Sequence, residues 1–206
     1  MKLDSDFPEK LAGEELSIKF VNTVAWRLRD PAEDRVASPE AVLKWLLDAR
    51  LVDRSSFLKI KARWKRAPRE GKAFFEAAVE LREAIYSLFV ARIEDKKMDS
   101  AATGILNMHL AGSMRNLALI SSQKGLEWKT SSGTIAPEAL LRPIAWSAAG
   151  LLTGPRAQRV KQCQDERGCG WLFIDESRAQ NRRWCSMGDC GNLAKSRRHY
   201  LRATCR

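Results

Sequence analysis

CQDERGCGWLFIDESRAQNRRWCSMGDCGNLAKSRRHY, residues 163–200, holds four of the chain's five cysteines in two pairs, Cys163 with Cys169 and Cys185 with Cys190. Each pair is close enough in sequence for one tight turn to aim two thiolates at a common point. The 15 residues between Cys169 and Cys185 are about enough for a strand, a turn and a return strand. Four converging thiolates make a closed tetrahedral site suited to Zn²⁺, a borderline-soft ion with no redox chemistry to oxidise its ligands. Two alternatives share the four-cysteine pattern. Paired disulfides need an oxidising compartment, and MKLDSDFPEKLAGEEL at the N-terminus has no apolar run of the secretory kind. An iron–sulfur cluster also takes four cysteines, but a compact basic module favours zinc. Cys205 is expected as a free surface thiol, and His199, nine residues past Cys190, is left out of the ligand set.

The run W-L-F-I-D-E-S-R (171–178), followed by R-R-W-C-S-M-G-D-C-G-N-L-A-K-S-R-R (182–198), resembles the CGNR zinc-finger family. The resemblance covers about Arg159 to Arg202. It includes both cysteine pairs, the aromatic–Asp–x–Ser strand, the Trp before the third cysteine, and C-G-N-x-x-K. Leu193 stands where the family carries its signature Arg, so any contact made by that Arg is not carried over. Near the other end, L-S-I-K-F-V-N-T-V (16–24) resembles the opening of the ABATE domain, the usual companion of such fingers. The pairing implies a stress-linked transcription regulator whose first domain senses a ligand. Lys19 occupies a position where relatives often carry an acidic residue, so ligand chemistry depending on that carboxylate is not carried over either.

Charge singles out the same region. The chain of 206 residues carries +11, and residues 151–206 hold 12 Lys+Arg against 5 Asp+Glu, a net +7. Four thiolates and one Zn²⁺ would bring that to about +5, still a surface on which a polyanion would dock. No apolar run approaches the ~18 residues of a membrane span, and a cytoplasmic location is expected.

Upstream the pattern is helical. Leu16, Phe20, Val24 and Leu28 recur every four residues and predict a helix over Glu14–Arg29. Asn22, set among apolar residues, either braces neighbouring backbone or faces a pocket, and the site reading puts Asn22 and Arg27 on the wall of a ligand cavity. Ser38-Pro39-Glu40 starts a helix to about Ala49, and Asp53 caps another carrying Phe57, Ile60 and Trp64. The opposite face of that helix, with Lys59, Lys61, Arg63, Lys65 and Arg66, reads as solvated. The longest helix is expected over 69–96, with a further one over 100–115 in which His109 reads as a core histidine. Residues 116–130 alternate as a β-hairpin, with Leu126, Trp128 and Thr130 on its buried face. A last helix runs from Pro137 with a kink at Pro143, and Gly154-Pro155 divides a helical domain (1–154) from the metal module (155–206). The expected fold is mainly α: a helical domain with one β-hairpin, then a small treble-clef-like zinc module with a closing helix from Asn192. Trp171, Phe173 and Ile174 are expected as the module's small core, and Leu193 and Tyr200 to face inward from the closing helix.

Catalytic constellations are sparse. There are two histidines, no G-x-S-x-G, no Walker loop and no H-E-x-x-H, and a four-thiolate zinc has no open position for substrate. The expectation is therefore a non-enzymatic, DNA-binding transcription regulator. Arg178, Arg182, Arg183, Lys195, Arg197, Arg198 and Arg202 would touch phosphate, and the helical domain would sense a small ligand or a protein partner. The alternative is a protein-interaction adaptor whose basic finger meets an acidic protein.

Overall fold

The computed structural model of the chain describes residues 15–111, 117–122, 125–130 and 137–204. These form seven α-helices and three two-stranded antiparallel pairs, the mainly α architecture read from the sequence. The first helix, α1 (Glu15–Val21), is far shorter than the Glu14–Arg29 helix its periodicity suggests. The run Val21-Asn22-Thr23-Val24 is rich in β-branched residues, which fit a helix poorly. Thr23 Oγ1 donates back to the Phe20 carbonyl (2.7 Å), and the chain turns. Val24–Ala25 (β1) then pairs with Glu33–Asp34 (β2), and Trp26 adopts φ +52°. Leu28, the last residue of the expected stripe, is consequently exposed.

The helix starts obey their capping chemistry. Ser38 Oγ accepts from Ala41 N (3.1 Å) at the head of α2 (Pro39–Asp48), and Asp53 Oδ1 accepts from Ser56 N (2.9 Å) at the head of α3 (Arg54–Arg66). The spine is α4 (Pro68–Ile93), whose stripe Phe74, Ala78, Leu81, Ile85 and Phe89 is almost wholly buried. Packed on it is α5 (Ser100–Ala111), capped by Asp99 through Ala101 N (3.0 Å), with His109 buried. Strands β3 (Leu117–Ser122) and β4 (Gly125–Thr130) pair with Leu117 opposite Thr130. The expected burial of Leu126, Trp128 and Thr130 lies outside the described side chains. A 3₁₀ turn over Pro137–Leu141 leads into α6 (Arg142–Thr153). Pro143 does not kink this helix; it sits in the first turn, where its missing N–H costs no hydrogen bond. Helix α6 lies against α1, where Ser17 N donates to Ser147 Oγ (3.0 Å).

The metal module opens with β5 (Val160–Gln162), which pairs with β6 (Leu172–Ile174) in the register Val160 to Ile174. Only β6 falls between Cys169 and Cys185. The strand pair brackets the first cysteine pair instead, because β6 pairs backward with β5 and residues 175–184 form an irregular loop. Val160 and Leu172 are buried in the same core as Phe20, Leu43 and Ile85, so the apolar interior runs without a break from helical domain into module. A full burial like that of Leu172 contributes about 1.5–3 kcal/mol, in addition to anything the metal supplies. The last helix is α7 (Asn192–Thr204), entered through a single π turn at Met187–Gly191.

Candidate metal centre and its basic face

Cys163 and Cys169 sit at the two ends of the β5–β6 turn, while Cys185 follows the irregular loop and Cys190 lies in the π turn before α7. Their four Sγ atoms lie within 4.8 Å of one another. Cys169 to Cys185 is 3.7 Å and Cys185 to Cys190 is 3.8 Å. A tetrahedron with Zn–S bonds of about 2.3 Å has sulfur–sulfur edges of about 3.8 Å, which these two edges match. These separations are far beyond a disulfide's ~2.0 Å, and all four thiols are free.

The electrostatics also call for a dication. Hydrogen bonds from the Cys169 and Cys185 thiols hold Cys163 well below the ordinary thiol range, helped by the backbone N–H groups of Cys185 and Asp165. That single thiolate pushes up Cys169 and Cys185, its hydrogen-bond partners, while burial pushes up Cys190. Four thiolates cannot coexist here without compensating positive charge, and Zn²⁺ supplies it while closing the coordination shell. Turn geometry serves the same end. Gly168 and Gly170 have φ of +89° and +66°, and a Cβ on either would come within 2.9 Å of Arg29 Cγ or 2.8 Å of Leu28 Cγ. The carboxyl of Asp165 is held down to about 2 by Arg167 beside it and fixes the head of this turn.

The knuckle is sewn to the helical domain by main-chain hydrogen bonds. Arg27 N donates to Cys169 O (3.0 Å) and Leu28 N to Gly168 O (3.1 Å). Trp171 Nε1 donates to Val24 O (2.9 Å). Asn22 makes the closest match: its Nδ2 donates to Leu172 O (2.8 Å) and its Oδ1 accepts from Leu172 N (3.0 Å). Asn22 therefore takes the bracing role at this seam. Arg27 lies at the same seam, paired with Glu83 (2.5 Å), stacked 4.1 Å over Tyr86 and donating to Val21 O (3.0 Å).

Among the residues expected to meet phosphate, Arg178, Arg183, Lys195 and Arg197 have exposed positions on the module. Arg183 donates to Gln164 Oε1 (2.8 Å), and Arg197 reaches Glu166 at 3.4 Å, both in solvent. Arg182 is turned inward. Its side chain donates to the carbonyls of Trp184 (2.8 Å) and Cys185 and stacks 4.8 Å from Phe173, bracing the third ligand. Arg198 and Arg202 fall on α7, but their side chains lie outside those described, as do His199 and all of Cys205. Leu193 and Tyr200 were expected inward and are instead 48% and 67% exposed. The small core expected from Trp171, Phe173 and Ile174 is divided. Phe173 packs on the cysteines, with Trp171 beside it, while Ile174 joins the main core.

One counter-charge escaped the sequence. Asp175 is fully buried, and although burial raises its pKa, Lys161 Nζ (2.7 Å), Ser177 and the Arg182 N–H (2.9 Å) hold it well below the carboxylate range. The D-x-S spacing signals a turn in sequence, but nothing in it names Lys161, 14 positions away, as the counter-charge.

The profile of the ABATE domain, described as "Putative stress-induced transcription regulator", matches residues 14–155. That of the CGNR zinc finger matches residues 159–203. No curated protein matches the chain. No helix among the described residues is long and apolar enough to cross a membrane. The first match spans more than half of the chain and the second contains all four converging cysteines, so the chain belongs to the ABATE family and carries a CGNR zinc finger after that domain.

Proposed function

We propose that this chain is a transcription regulator without enzymatic activity, whose zinc finger docks on DNA and whose helical domain passes the state of a bound ligand to the finger. The observation that carries the reading is the placement of Arg178, Arg183, Lys195 and Arg197 in solvent around a metal-closed module. Such groups neutralise phosphate without reading sequence, so they provide affinity and salt dependence. The ligand link rests on the Asn22, Arg27 and Trp171 seam, which joins helical domain to knuckle by directional bonds that a shift of α1 would break. Zinc supplies folding free energy and a rigid platform.

A second reading is favoured by one feature. Met187, Leu193 and Tyr200 are exposed near the basic residues, and such a mixed surface also suits an acidic protein partner. Fluorescence anisotropy of a labelled random-sequence duplex separates the two. Binding to the zinc-loaded chain that weakens steeply with salt supports the DNA reading, and absence of duplex binding at low salt gives the case to the adaptor.

A further inference from the structure

A cleft of 710 Å³ separates the C-terminal end of α4 from the metal module, a size suited to a small ligand. One wall is Arg92, Asp95, Lys96 and Met98 of the helical domain, and the other is Lys161, Gln162 and residues 181–183 of the module. The cations Arg92, Lys96, Lys161, Arg182 and Arg183 face it against the single carboxylate of Asp95. Four of those cations have protein partners: Lys161 meets Asp175, Lys96 meets Glu94 in solvent, Arg182 braces the Cys185 carbonyl and Arg183 donates to Gln164 Oε1. Arg92 differs. Its Nε is buried and has no hydrogen-bond partner among the described residues. A buried guanidinium N–H without an acceptor costs about as much as a lost charged hydrogen bond, so a turn of the Arg92 side chain toward an acceptor in the cleft would be favoured. The carbonyl end of α4 nearby is unfavourable to anions, but Arg92 and Lys96 outweigh that partial charge, which amounts to about half an elementary unit.

We infer that this cleft binds a small organic anion bearing a phosphate or carboxylate group, held by Arg92, Lys96 and Arg183 of its lining. A cleft of 710 Å³ between two domains is far too small for a duplex, so a small anion is the occupant that fits. The inference rests on the ligand-sensing part of the proposed function and gives it a place. Both domains line the cleft, and Arg183 belongs also to the exposed basic face, so an occupant would tie the helical domain to the finger and draw on one of its phosphate contacts.

The test uses the zinc-loaded full chain and inorganic pyrophosphate as probe, followed by titration calorimetry. Saturable 1:1 binding is expected, weakened about tenfold or more by Arg92→Gln with Lys96→Gln, since one charge-assisted contact is worth about that factor. Lys65→Gln with Arg66→Gln, on α3 away from the cleft, serves as the charge-matched control. Unfolding midpoints of both variants establish that each is folded. Absence of saturable binding, or equal weakening by the control pair, would overturn the inference. So would displacement of pyrophosphate by duplex together with loss of duplex binding in the Arg92 variant, which would make the cleft a DNA groove. Duplex binding unchanged in the Arg92 variant, with pyrophosphate binding lost, supports the inference. Loss of duplex binding in a Lys195 and Arg197 variant tests the DNA reading separately.

Discussion

Asn22→Ala should uncouple the finger from the helical domain. In the native chain the carboxamide closes a two-bond clamp on the backbone of Leu172, a residue only 1% exposed. Removing it leaves a buried N–H and a buried C=O without partners, each costing about 1–3 kcal/mol. Asn22 is itself only partly buried, so water can reach part of the gap, and the expected loss is about 2–4 kcal/mol. That is a large share of the ~5–15 kcal/mol by which a domain is stable. Leu172 follows Cys169 by three residues, so the same loss should loosen the knuckle and speed zinc release to a chromophoric chelator, by roughly 10- to 100-fold if local opening limits release. Urea unfolding followed by far-ultraviolet circular dichroism gives the first number and stopped chelation the second. Asn192→Ala is the control, since its amide reaches only Gly188 O at 3.4 Å in solvent. A stability loss under about 0.5 kcal/mol, or a larger one with zinc release at the native rate, would refute the clamp as the coupling element.

Two further outcomes follow from the site and the caps. Cys185→Ser should lower bound zinc from one per chain towards none by elemental analysis, because the remaining three thiols leave the tetrahedron open. Asp53 should titrate near 2 by NMR, because the Ser56 N–H favours its charged form; its stabilising contribution is complete above the unfolded value near ~3.9 and is lost as pH falls through about 2.

Local chemistry was legible and pairing at a distance was not. Ser38 and Asp53 announced their helix starts because a cap is satisfied within four residues of itself. The cysteine pairs announced their metal because two short turns and one ion use all four thiols. The helix from Glu14 failed at Val21, since periodicity cannot show that Asn22 is claimed by Leu172, 150 positions on. The same blindness hid the pairing of β6 with β5, the inward turn of Arg182, and the Lys161–Asp175 pair. Pro143 was misjudged by one element boundary: a 3₁₀ turn before it moves it from helix interior to helix start. Leu193 and Tyr200 looked like inner residues because they are largely apolar, yet both side chains are exposed on α7.

The most direct measurement of the central claim is the slope of log affinity for a random duplex against log salt, for the zinc-loaded chain and for its Lys195→Gln, Arg197→Gln variant. Both side chains are exposed on α7, so the substitution removes charge without disturbing packing. If they touch phosphate, the variant binds more weakly by a similar factor on unrelated sequences, and its slope is shallower by about one to two units. Equal affinity and equal slope for the two proteins would contradict α7 as the docking surface.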